Sequence, residues 1–180
     1  VASCLVGSEM CIRDRMKSVL IWLFSLSIFF ISSCRQDPNK ITIKGSIANP
    51  VSDELVFNFP DTSYEANVDA DGNFKITLNQ DSAQYVTLLH GERTRMFIKP
   101  GDKIEVYFDT KEFDETMTYK NSPESSFLAY KLISAEERDF YGKSLYLADK
   151  VSYEVELENF KSNLMQRLDR FENGYFKITE

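Results

Sequence analysis

Few side chains in this 180-residue sequence are equipped for chemistry, and they stand far apart. The thiols are Cys4, Cys11 and Cys34, and His90 is the single imidazole. A thiolate serves as nucleophile or metal ligand, but no CxxC pair occurs and no His/Cys spacing fits a zinc site. His90 adjoins Gly91 in an expected loop, with no second ligand or nucleophile nearby. General-base work needs a partner within hydrogen-bond reach, so no catalysis is assigned to it. Asp69-Ala70-Asp71-Gly72-Asn73 invites a calcium reading, yet a helix-flanked calcium loop needs its Gly at position six and a Glu at twelve. Here Gly follows the second Asp directly and strands flank it, which suits a hairpin turn. Arg93, Arg95 and Lys99 form a basic cluster near a turn. An anionic ligand is one use for it, and a solvated strand edge protected by charge is the favoured one. Glu136-Glu137-Arg138-Asp139 and Glu154, Glu156 and Glu158 read as solvated helix faces. No two carboxylates single themselves out as an acid/base pair, so no hydrolase is inferred. No catalytic, cofactor-binding or metal-ligating residue is therefore assigned, and no cofactor is implied.

Cys34 differs from the other thiols because an ordered pattern leads up to it. Met16-Lys17 supplies a positive start, and Val19–Ile31 (VLIWLFSLSIFFI) is an apolar run of signal-peptide length. It is too short for a comfortable membrane span, which needs about 20 residues. Ile31-Ser32-Ser33-Cys34 then resembles the lipobox of bacterial lipoproteins. That resemblance implies cleavage before Cys34, diacylation of its thiol and attachment to a membrane through the lipid, since two or more acyl chains anchor stably. An uncleaved anchor helix is the alternative. Ahead of this signal, residues 1–15 have no helical or strand period, and CLVGSEMCIRDR resembles a translated sequencing-adapter read-through. Residues 1–15 are therefore set aside, 16–33 are taken as signal peptide and 34–40 as a polar tether.

Beyond the tether the hydrophobic period becomes two. Ile41–Ile47, Leu55–Phe59, Tyr64–Val68, Phe74–Leu78, Gln84–Leu89, Arg95–Ile98 and Lys103–Phe108 are expected strands, with a weak one at Thr116–Tyr119. Turns are expected at 69–73, at His90-Gly91-Glu92, and at Lys99-Pro100-Gly101-Asp102, whose Pro and Gly fit a type II turn. Strands spaced in this way predict an antiparallel β-sandwich or open barrel over 41–120. Most of the 14 Phe and 9 Tyr fall at alternating strand positions and so belong to its core.

Helices follow over 122–180. Ser122-Pro123-Glu124 is a helix start, with an N-cap hydroxyl, Pro at N1 and an acid in the first turn. This helix is expected to reach about Leu147. Tyr153, Leu157, Phe160, Leu164, Leu168 and Phe171 form one apolar stripe on a second helix, closed by Asn173-Gly174. Tyr175–Thr179 is aromatic and β-branched, and reads as a truncated strand.

The strings ITIKGSI, VDADGNFKI, YVTLL and FIKPGDKIEVYFD resemble a β domain of unknown function from Bacteroidota. It stands at the N-terminus of exported thioredoxin-fold proteins of the AhpC/TSA and TlpA-like kind. The resemblance covers roughly Ile41 to Leu132, and Asn121-Ser122-Pro123-Glu124 departs from the Gly-Ser pair usual in that family. It implies a non-catalytic accessory domain whose redox cysteines lie beyond Glu180. A stand-alone envelope lipoprotein binding a ligand or protein is the alternative. Arg35 after Cys34 favours the outer membrane, and a protein client or dimer partner is expected. The net charge of -7 and pI near 4.9 exclude nucleic acid, whose phosphates need concentrated Lys and Arg.

Overall fold

The computed structural model describes residues 37–140, 149–172 and 174–180. The readings of Cys4, Cys11, the signal peptide and Cys34 lie outside the described residues.

Among the described residues eight strands form in chain order: β1 (Lys40–Ala48), β2 (Glu54–Asn58), β3 (Ser63–Asn67), β4 (Asn73–Asn79), β5 (Gln84–His90), β6 (Glu92–Ile98), β7 (Lys103–Asp109) and β8 (Thr118–Lys120). Most bury alternate residues, as the period-two pattern requires, while β6 buries Met96, Phe97 and Ile98 in succession because a helix that follows β8 covers its outer side. They make two four-stranded sheets, ordered β4-β1-β7-β8 and β3-β2-β5-β6. Neither closes into a barrel. Ile41, Ile43, Ile104 and Phe108 from the first sheet and Leu55, Phe57, Leu88 and Met96 from the second are fully buried in one core. The fold is thus a β-sandwich followed by helices.

One pair inside this sandwich is not antiparallel. β1 runs parallel to β7, with Ile43 opposite Ile104, while β1 pairs antiparallel with β4. Gly45 lets the three strands approach. A Cβ there would stand 2.0 Å from the Val106 carbonyl oxygen and 2.9 Å from the Phe74 ring.

The turn at Asp69–Asn73 is not a hairpin within one sheet. β3 belongs to the second sheet and β4 to the first, and a single bridge, Val68 to Phe74, links them at this corner. Lys99–Asp102 also passes between sheets, with Gly101 at φ 83° as a type II turn demands. Glu92, expected in a turn, opens β6. The reversal is pinched at Gly91, whose φ is 73°.

Four helices complete the described chain: α1 (Phe113–Thr116), α2 (Pro123–Glu136), α3 (Lys150–Leu168) and α4 (Gly174–Thr179). α2 begins as its sequence predicts, with the Ser122 side chain accepting from Ser125 N and Pro at the first turn. It ends well short of Leu147. Asp139 takes φ 55°, its N–H donates to Glu136 O at 2.8 Å, and Phe140 N–H donates to Ala135 O at 3.0 Å. Those two bonds are a Schellman termination, with an aspartate in the left-handed position usually held by Gly or Asn. α3 stops at Leu168, so Asn173-Gly174 does not close it, and Gly174 opens α4. Tyr175–Thr179 is accordingly helical, not a strand. Its Phe176 is fully buried among Phe97, Phe127 and Phe171, with ring centroids 5.0, 5.8 and 5.2 Å away.

Candidate binding surface

α2 occupies a special place because it lies along the edges of both sheets. β6 and β8 are edge strands, and α2 packs against each. Ser125 Oγ accepts from Phe97 N at 3.0 Å and donates to Phe97 O at 3.0 Å. Ser122 Oγ donates to Ser125 Oγ at 2.8 Å, and Ser126 Oγ donates to Tyr119 O at 3.0 Å. Hydroxyls of one helical turn thus satisfy main-chain groups of both sheet edges. Tyr119 itself is buried, which pushes its hydroxyl above the ordinary tyrosine range against the opposing pull of Thr94.

Where α2 meets the end of α3, a cleft of about 900 Å³ opens. Lys99, Glu124, Phe127, Tyr130, Arg167, Arg170 and Phe171 line it. Glu124 Oε1 takes the Lys99 ammonium at 2.6 Å, and its side chain is 4% exposed. Its other oxygen, Oε2, is buried with no hydrogen-bond partner among the described residues. Beside it Asp102 is held above the usual carboxylate range by burial, with the Lys99 N–H and ammonium opposing. Arg167 stands over Tyr130, its guanidinium carbon 3.7 Å from the ring centre, while Tyr130 Oη donates to Asn163 at 2.9 Å. The walls combine aromatic rings and the guanidinium groups of Arg167 and Arg170 with the carboxylates of Glu124 and Glu172, and the arginines and rings suit recognition of an anion or a planar group.

A second cleft, about 470 Å³, lies between β5, β6 and α2 and is lined by Thr87, Arg93, Arg95, Leu128, Lys131 and Glu180 among others. Lys131 is paired with Glu180 at 2.5 Å. Arg95 caps the Tyr85 ring at 4.4 Å, and burial pushes the Tyr85 hydroxyl up to about 12. The basic cluster of the sequence is therefore divided. Arg93 and Arg95 lie on edge strand β6, and Lys99 turns to Glu124 in the other cleft.

His90 is not a loop residue. It closes β5, is 2% exposed, and stands edge-on to Phe108 at 6.0 Å. Nε2 accepts from Val51 N at 3.2 Å, and Nδ1 donates to Glu54 O at 2.8 Å. Both ring nitrogens are committed to fixing residues 51–54, which leaves neither for catalysis. Asp69 is committed as well. Its Oδ1 accepts from Asp71 N at 3.0 Å and Asn73 N at 2.8 Å, and the Asn73 N–H chiefly holds its carboxyl below the usual range. Glu156 pairs with Arg138, Glu154 with Lys150, and Glu158 with Lys161. Among the described residues no group of three His, Cys, Asp or Glu side chains is placed to hold a metal.

Glu124 was not singled out by sequence. It reads as a helix-start acid attracted to the helix dipole, and only the fold shows it buried. The one sequence signal for it was Ser-Pro-Glu placed shortly after a strand.

No family model and no curated protein matches the chain. Among solved structures, it is similar to a DUF3823 family protein from Parabacteroides merdae, with a TM-score of 0.30, 13% identity, 41% of this chain and 46% of that one covered. It is also similar to a DUF3823 family protein from Bacteroides ovatus, with a TM-score of 0.28, 16% identity, and coverage of 39% and 42%. The chain thus spans less than half the length of either structure.

Proposed function

We propose that this chain is the tethered, non-catalytic accessory part of an envelope lipoprotein, bound to the outer membrane through lipid on Cys34. In this picture the sandwich is the rigid body and the helices are the recognition layer. The observation that carries it is the state of α3. Tyr153, Leu157, Phe160, Leu164 and Leu168 are all half-buried, no residue of the 19 is buried, and Val151, Val155 and Met165 are 68%, 55% and 65% exposed. A helix that contributes so little to the core has apolar surface left for another protein or another part of the same protein. The resemblance of Ile41–Leu132 to the N-terminal domain of TlpA-like proteins makes a thioredoxin-fold module the natural neighbour. A stand-alone lipoprotein that binds an anionic ligand is the second reading, and Arg167 and Arg170 in the first cleft favour it.

The test has two parts. Labelled palmitate should enter the chain in cells and be lost in Cys34→Ala; incorporation that survives the substitution rules out the anchor. A photo-crosslinking side chain at Val155 or Met165 should give a discrete protein adduct in the envelope, and a control at Asp61 should not. Equal yields at all three positions would overturn the recognition role.

A further inference from the structure

The outward face of the first sheet is basic, although the chain as a whole is acidic with a net charge of -7. Register places Lys75, Lys44, Glu105 and Lys120 in one row across β4, β1, β7 and β8. Lys103 lies opposite Thr42 in the next row, and Lys40 opens β1 on the same face. All five lysines are exposed. Glu105 is the one acid within these rows, held by Lys44 at 2.9 Å, and the next acid on the face is Asp109 at the far end of β7, bonded to Asn49. Tyr107, 45% exposed, stands beside this row. The segregation is a consequence of strand period: every second residue of β1, β4, β7 and β8 faces out, and lysine recurs at those positions.

We propose that this face rests on an anionic lipid surface. The inference rests on lipidation of Cys34. Lys40 follows Cys34 by six residues, which span at most about 20 Å when fully extended. The tether is therefore short enough for the strand that carries Lys40 and Lys44 to reach the headgroups. Fields near an anionic leaflet act within a Debye length, about 8 Å in physiological salt, and attract each nearby lysine. The tether supplies the proximity and the lysines supply the orientation. The second sheet and the helices then face away from the membrane, where α3 is open to a partner.

The test uses the mature acylated chain reconstituted in vesicles of phosphatidylcholine alone or with a third phosphatidylglycerol. An amine-reactive ester labels the lysines, and peptide mass spectrometry gives each rate. In anionic vesicles Lys44, Lys75 and Lys120 should react about fivefold more slowly than in neutral vesicles, with protection abolished by high salt. Lys150 and Lys161 on α3 serve as references and should not change. Equal rates in both vesicles, or protection of the α3 lysines instead, would overturn the proposal. Protection in neutral vesicles as well would assign the face to a second copy of the chain and overturn it equally. The same peptide map reads Cys34. An unmodified thiol overturns the anchor and this proposal together, whereas a modified thiol with unprotected lysines overturns the proposal alone.

Discussion

Ser125 grips the main chain of Phe97 at both ends, its Oγ accepting from the N–H and donating to the carbonyl, each at 3.0 Å. Through this pair a helix does for β6 what another strand would do. Ser125→Ala takes away both 3.0 Å bonds to the Phe97 main chain, whose carbonyl keeps the Ser122 hydroxyl at 3.4 Å, and should cost about 1–2 kcal/mol in urea unfolding. It should also expose a strand edge, so concentration-dependent association is expected by sedimentation. A variant as stable as the parent would remove the helix from its role at the edge.

Gly45→Ala tests the closeness of β1 to β7. The added Cβ meets the Val106 carbonyl oxygen at 2.0 Å, and a backbone atom in a central strand has little room to retreat. A loss of about 3 kcal/mol is expected, which lowers Tm by roughly 10 °C for a domain of this size. An unchanged melting curve would contradict the parallel pairing.

Asp69 predicts a pH dependence with a definite sign. Its folded value lies below the ordinary 3.8, chiefly because of the Asn73 N–H. A depressed carboxyl stabilises the fold fully above the unfolded value and loses that contribution as pH falls through the folded one. The stability gap between the parent and Asp69→Ala should therefore be widest near neutrality and shrink below about pH 4. Urea midpoints across pH measure it, and a constant gap would count against the assigned bonds.

Lys99 and Glu124 should behave as a unit. Lys99→Met strands a carboxylate whose side chain is 4% exposed, at a cost of about 3 kcal/mol. Replacing both by Met should recover most of that loss. Chemical unfolding of the two single variants and the double variant completes the cycle. Losses that simply add would show the two groups to be independent.

The strands were legible because Ile41-Thr42-Ile43-Lys44 and Lys103-Ile104-Glu105-Val106 alternate without ambiguity. Their partners were not. Asp-Gly at 71–72 and Pro-Gly at 100–101 announce a reversal, but turn chemistry does not say which sheet the chain enters next. The parallel pairing of β1 with β7 and the corner at Asp69 were missed for that reason. At Tyr175–Thr179 propensity favoured a strand, and packing of Phe176 into the ring cluster of Phe97, Phe127 and Phe171 prevailed. The end of α2 was missed because an aspartate, not a glycine, takes the left-handed position at residue 139. Of the candidate surface, the basic residues were visible in the sequence. Their division between two clefts, and the burial of Glu124, depend on α2 lying across both sheet edges.

The central place of β1 has a kinetic consequence. Ile43 meets Ile76 on one side and Ile104 on the other, partners more than thirty and more than sixty residues further along the chain. β1 is synthesised before both of its partners and stays unpaired on both edges until β4 and then β7 exist. Closing such long loops before any contact rewards them slows folding. The interval leaves an isoleucine-rich strand open to wrong partners, and the lysines that alternate with its isoleucines keep that waiting strand soluble.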